Sequence, residues 1–196
     1  MGSNSHHGAS PMQQEINEQL KSNFEQTYTA LKRDLTRVRT GRANANLLDG
    51  VRVDYYGTPT PVSQVAAIQI PEARMVMIKP WEANLLGDIE RAIINANLGL
   101  SPSNDGTVIR LNIPPLTEER RKDLAKQVQQ LGENAKVSVR NHRRDANADL
   151  KAFQKEGELS EDELARALKD VQGLTDAAVS EIDGILAKKQ AELEEI

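Results

Sequence analysis

The chain contains no cysteine, which excludes disulfides, thiolate metal ligands and cysteine nucleophiles and fits a reducing compartment, so the cytoplasm is the expected location. Aromatic residues make up only 3%. A core without them must be aliphatic, and that suits helices meeting along narrow Leu, Ile, Val and Ala seams better than a wide sandwich interior. No apolar run approaches the roughly 20 residues that span a bilayer. The first ten residues, Met1-Gly2-Ser3-Asn4-Ser5-His6-His7-Gly8-Ala9-Ser10, lack the apolar core of a signal peptide. Residues 1–11 read as a disordered leader, and no membrane partner is expected. Also missing are a G-x-x-x-x-G-K-[ST] phosphate loop, G-x-S-x-G, H-E-x-x-H, and G-x-G-x-x-G opening a helix after a strand. That pattern argues against an enzyme, and no cofactor or metal is expected. Two of the three histidines, His6 and His7, lie in the leader. His142 then has no second histidine beside it to complete a metal site or triad.

What is present is 38% hydrophobic and 28% charged over 196 residues, enough for one large soluble domain or two small ones. A seam recurs at Ile16, Leu20, Phe24, Thr27 or Tyr28, Leu31, Leu35 and Val38. Steps of three and four predict a first long helix from about Met12 to Arg39, with Gly41 as its stop. A second seam runs Leu124, Val128, Leu131, Ala135, Val139, His142, Ala146, Leu150, Phe153. It predicts a helix over 117–155, with Thr117 as N-cap, two acids in the first turn and Gly157 as terminator. His142 falls on this seam and reads as a packing residue. If it is buried, charging it below about pH 6 weakens the helices' packing by desolvation. Ser160-Glu161-Asp162-Glu163 is a capping box, with Leu159 and Leu164 spaced as its hydrophobic staple, and opens a third helix. Glycines 132, 173 and 184 interrupt these helices at about 1 kcal/mol each relative to Ala. The 156–159 link is so short that the second and third helices must be antiparallel.

Between the first and second helices the pattern changes to β-rich runs at 51–56, 62–70, 75–79 and 108–113 and one amphipathic helix around 83–97. Gly57-Thr58-Pro59-Thr60-Pro61 and Pro71-Glu72-Ala73-Arg74 read as turns. The expected class is therefore α+β: an elongated antiparallel three-helix bundle, formed by 12–41 and 116–196, carrying an inserted β-β-β-α-β module at 42–115. The chain crosses between the two at Thr40-Gly41-Arg42 and Pro114-Pro115-Leu116. Both crossings carry residues that break regular structure, and they read either as a hinge or as mere stop signals beside a fixed interface.

The net charge of −4 hides segregation: residues 120–155 hold ten Lys and Arg against four acids, a balance of +6 that leaves −10 for the rest. Carboxylate pairs such as Glu118-Glu119 and Glu194-Glu195 read as solvated helix ends. Taking the apolar seam as 0° and about 100° per residue, Arg140, Arg144, Lys151, Lys122 and Lys126 fall at about 160° to 200° and Lys136 at about 120°. Arg143 falls at about 100° and Arg121 at about 60°. Such a stripe tracks a phosphate backbone. The alternative is an ordinary solvated face, for which Asp145 and Asp149 supply i,i+4 partners. Aromatics are not interleaved with the stripe, which favours a folded RNA over unpaired bases.

Four strings carry a resemblance: Leu35-Thr36-Arg37-Val38-Arg39-Thr40-Gly41-Arg42-Ala43, Val53-Asp54-Tyr55-Tyr56-Gly57-Thr58-Pro59, Ile113-Pro114-Pro115-Leu116-Thr117-Glu118-Glu119-Arg120-Arg121-Lys122 and Val139-Arg140-Asn141-His142-Arg143-Arg144-Asp145-Ala146. In this order they resemble the bacterial ribosome recycling factor family over residues 13–196. The resemblance implies an L-shaped molecule and a non-enzymatic role. It implies binding to the large ribosomal subunit after termination and, with elongation factor G and GTP, separation of the subunits. It carries rRNA contact over to Arg121, Arg140, Arg143 and Arg144, and the hinge to Thr40, Gly41, Arg42, Pro114, Pro115 and Leu116. His142 departs from the family's usual aliphatic residue. Nothing in the sequence demands self-association, so a monomer is expected. Two rival readings stand beside this one: a helical scaffold whose arginines only keep it soluble, and an enzyme with a pocket in the inserted module.

Overall fold

The computed structural model describes residues 8–38 and 40–194; positions 1–7 of the expected leader lie outside the described residues. Two compact units form, one from the chain up to Val38 and from Glu119 onward, the other from Arg39 to Glu118.

The first unit holds three long helices: α1 (Pro11–Thr36), α4 (Glu118–Lys155) and α5 (Glu161–Glu194). Helix α1 opens one residue before the expected start, because Ser10 accepts the Gln13 N–H at 3.2 Å and Pro11 occupies the first helical position. It closes three residues before Arg39, the expected end. Thr36, Val38 and Thr40 alternate there, and their β-branched side chains resist helix; the Thr36 hydroxyl turns back to the Lys32 and Arg33 carbonyls instead. Gly157 ends α4 at φ +79°, with Glu158 N–H donating to the Phe153 carbonyl and Gly157 N–H to that of Gln154, the two bonds of a Schellman closure. The capping box forms as read: Glu163 N–H donates to Ser160 Oγ at 3.1 Å and Ser160 N–H to Glu163 Oε1 at 3.2 Å.

The seams meet as their period demands. Leu20, Phe24, Leu31 and Leu35 of α1, Leu124, Val128, Val139 and Leu150 of α4, and Val171, Ala178 and Ile182 of α5 are buried. Removing each large aliphatic side chain from water is worth about 1.5–3 kcal/mol. His142 is only half-buried, its ring edge-on to Phe24 at 6.5 Å. It packs as expected, but the full burial on which its pH effect depended is not there.

The second unit contains six strands rather than four. β1 (Arg52–Tyr55) pairs with β2 (Thr58–Pro61) as a separate hairpin. Thr58–Pro61 reads as a turn because of its prolines, yet Pro59 and Pro61 share one parity. Their missing N–H groups fall on the side facing away from β1, so the ladder loses nothing. Val62–Val65 forms one helical turn, α2, which replaces the start of the expected second strand. β3 (Ala66–Glu72), β4 (Met75–Pro80), β5 (Pro102–Asn104) and β6 (Ile109–Asn112) form an antiparallel sheet of order β3-β4-β6-β5. Helix α3 (Leu86–Asn95) buries Leu86, Ile89 and Ile93, continuing a short 3-10 turn at Ala83–Leu85. Cross-strand pairs Val76 with Leu111 and Ile78 with Ile109 are fully buried and join these helix residues in an aliphatic core.

Candidate nucleic-acid interface

Helix α4 sets the interface. Because Leu124, Val128, Val139, Ala146 and Leu150 turn inward, Arg140 and Arg144 are carried to the exposed side, one helical turn apart. Among the described residues neither forms an ion pair, and no bridge joins Arg144 or Lys151 to Asp145 or Asp149. The alternative of a face neutralised by its own i,i+4 partners is therefore not what the side chains do. Like charges at this spacing destabilise a helix by about 0.2–0.5 kcal/mol per pair. An unrelieved cluster is thus a cost to the fold that helix packing itself does not require.

Arg143, on the shoulder of that face, is half-buried. Its Nη1 donates to Gln172 Oε1 of α5 at 3.1 Å, and Gln172 Nε2 donates to Asp176 Oδ1 at 2.8 Å. The relay orients the guanidinium from the neighbouring helix, while its Nε lies buried without a partner. Arg121 is likewise half-buried with an unpartnered Nε. Its low position relative to the seam is the reason. The structure thus groups Arg140, Arg143 and Arg144 and leaves Arg121 near the start of the helix. Lys136 leaves the stripe: its Nζ reaches Asp183 Oδ1 on α5 at 2.7 Å, and the side chain is only 18% exposed. Its shallower angle brings it within reach of the acidic helix. Sequence periodicity gives no access to Gln172, Asp176 or Asp183, since their roles depend on which faces of two helices meet.

The comparisons with known proteins decide the family. The ribosome recycling factor family model matches residues 31–193. The chain belongs to the ribosome recycling factor family. The ribosome-recycling factor of Clostridioides difficile is 52% identical over 185 residues, covering 94% of this chain and all of that one. The Bacillus licheniformis protein is 53% identical with the same coverage. Among solved structures, the solution structure of a ribosome recycling factor superposes with a TM-score of 0.68 at 34% identity, covering 95% of this chain and 100% of its own. A second match is the T. thermophilus ribosome recycling factor placed with E. coli elongation factor G on the E. coli post-termination complex. Its TM-score is 0.59 at 41% identity, covering 92% of this chain and 98% of its own. No described helix is long and apolar enough to cross a membrane. Ribosome recycling factors are translation factors rather than enzymes, so the rival reading of an active site in the inserted module falls away.

Proposed function

We propose that this protein recycles post-termination ribosomes in the cytoplasm: it binds the large subunit through α4 and, with elongation factor G hydrolysing GTP, splits the ribosome into subunits. The observation that carries the reading is the match over nearly the whole chain to recycling factors, one of them placed on the post-termination complex beside elongation factor G. The exposed, unbridged Arg140 and Arg144, with the oriented Arg143 and with Arg121, are the groups assigned to ribosomal RNA. Arginine forks match phosphate oxygens bidentately.

Thr40, Gly41, Arg42, Pro114, Pro115 and Leu116 serve as the hinge between the two units. Gly41 stands at φ +74°, which other residues resist, and 113–117 carries neither helix nor strand. Bending there lets the inserted unit move while α4 stays anchored. The factor acts as a monomer.

Light scattering of 70S ribosomes with elongation factor G and GTP tests the proposal. The parent splits subunits, whereas Arg140→Ala/Arg143→Ala loses about 100-fold in affinity for large subunits, two charged hydrogen-bonding groups at about 1.4 kcal/mol each. Binding weakens with salt by roughly 0.7–0.9 log units per log unit for each phosphate contact. Full activity in the double variant removes the arginines from the site. A parent that splits nothing removes the function.

A further inference from the structure

The fully buried core of the second unit is aliphatic, yet this unit holds three of the chain's six aromatic residues, Tyr55, Tyr56 and Trp81. They gather on its surface. Tyr56 is 80% exposed and Trp81 69% exposed. Tyr56 occupies the first central position of the β1–β2 turn at φ +50°, followed by Gly57 at φ +83°. This is the type I′ pattern, where Asn or Gly is usual and an aromatic side chain is strained. The strained position aims the ring edge-on to Tyr55, centroids 4.6 Å apart.

One carboxylate organises the cluster. Tyr55 donates its hydroxyl to Glu82 Oε1 at 3.0 Å, and Tyr56 donates to Oε2 at 3.4 Å. The bond to Glu82 raises the Tyr55 hydroxyl above its ordinary value. Trp81, next in sequence, is fixed by its backbone N–H on the Val65 carbonyl at 3.0 Å. Together they border an open groove of about 470 Å³, and none of its described lining residues is a lysine or arginine.

We infer that this groove receives a lysine or arginine side chain presented by a partner protein. The Glu82 carboxylate accepts two hydroxyls and retains lone pairs for a cation. Tyrosine and tryptophan faces attract ammonium and guanidinium groups, most strongly the planar guanidinium. The same features disfavour nucleic acid: a carboxylate repels phosphate, and the groove offers no cation to hold one. This site is separate from α4, and its occupancy does not depend on the assignment of the arginines there.

Trp81 is the chain's sole tryptophan, so its fluorescence reports on the groove without a label. The full-length protein is titrated with the capped tripeptide Gly-Arg-Gly, with the same peptide carrying neutral citrulline in place of arginine, and with a short oligouridylate. The expected result is a saturable change with the arginine peptide, at least fivefold weaker with citrulline and at least fivefold weaker in Glu82→Gln. The citrulline arm uses the parent protein, so it decides even if the variant folds poorly. No saturable response to the arginine peptide, equal responses to the arginine and citrulline peptides, or saturation by oligouridylate alone overturns the proposal.

Discussion

Helices α4 and α5 are near in length, 38 and 34 residues, and pack in one bundle, yet their surfaces are opposite in sign. Helix α4 carries ten basic residues against six acids, and α5 four against nine. The bundle asks only for the apolar seams, which both helices supply. It does not ask for this segregation, since interspersed charges solubilise as well and add i,i+4 pairs. Segregation gives direction: the field of α4 attracts negative charge and that of α5 repels it. The acidic helix also shapes the basic one, drawing Lys136 out of the stripe with Asp183 and orienting Arg143 through Gln172 and Asp176.

The sharpest contrast between the two helices lies in their glycines. A Cβ on Gly132 of α4 would stand 2.2 Å from Leu186 Cδ1, 2.8 Å from its Cδ2 and 3.0 Å from its Cγ, whereas one on Gly173 of α5 meets nothing within 4 Å. Gly132→Ala therefore gains about 1 kcal/mol of helix propensity but displaces the whole end of Leu186, a strain of about 1–3 kcal/mol. Gly173→Ala has only the gain. Urea denaturation is expected to show a net loss of up to about 2 kcal/mol at Gly132 and stabilisation of about 0.5–1 kcal/mol at Gly173. Equal stabilisation at both positions would mean that the half-buried Leu186 side chain swings aside at little cost.

A smaller effect separates the helices' roles in binding. Gln172→Ala removes the acceptor that orients Arg143 without touching α4. Freeing that side chain costs about 0.5–1.5 kcal/mol of ordering on binding, so affinity for large subunits falls by about three- to tenfold while the melting temperature holds. Adding Arg143→Ala to this variant should then cost less than it does in the parent, a coupling measured by the double-mutant cycle. Strict additivity would make the contact between Gln172 and Arg143 incidental.

Legibility in the sequence followed the range of the physics. The long helices and the capping box at Ser160 depend on residues three or four apart, and these were readable. The early end of α1 was not, because Thr36, Val38 and Thr40 weaken helix gradually while Gly41 is the conspicuous signal. β2 and β5 were hidden by Pro59, Pro61 and Pro102, whose tolerance depends on which side of the strand is free. The stripe of Arg140 and Arg144 was visible by angle; the loss of Lys136 from it was not, since it takes an acid on another helix. The exposed aromatic groove is hidden from the sequence for the same reason. Tyr56 and Trp81 are far apart in sequence and are brought together by β1, β2 and the turn after β4.

The smallest expected effect lies outside both helices and shows what an acid does when it serves the fold. Asp105, between β5 and β6, accepts the Thr107 and Val108 N–H groups on Oδ1 at 2.9 and 2.8 Å, and the Arg110 guanidinium on Oδ2 at 2.6 Å. The Val108 and Thr107 backbone donors, then Arg110, lower its carboxyl from 3.8 to about 2. A lowered folded pKa means that the unfolded chain binds the proton more readily. The stabilisation is complete above about 3.8 and is lost as pH falls through about 2. Asp105→Asn keeps the shape but not the charge, so the variant should melt below the parent at pH 6, and the gap should narrow from pH 4 to pH 2. A gap constant over that range would show that the carboxylate contributes through shape alone. Among the described residues the exposed acids of α5 accept no backbone donors of this kind, apart from Glu163 at its cap. Neutralising Asp176 should therefore act through Gln172 and Arg143 on binding, with little dependence of melting on pH.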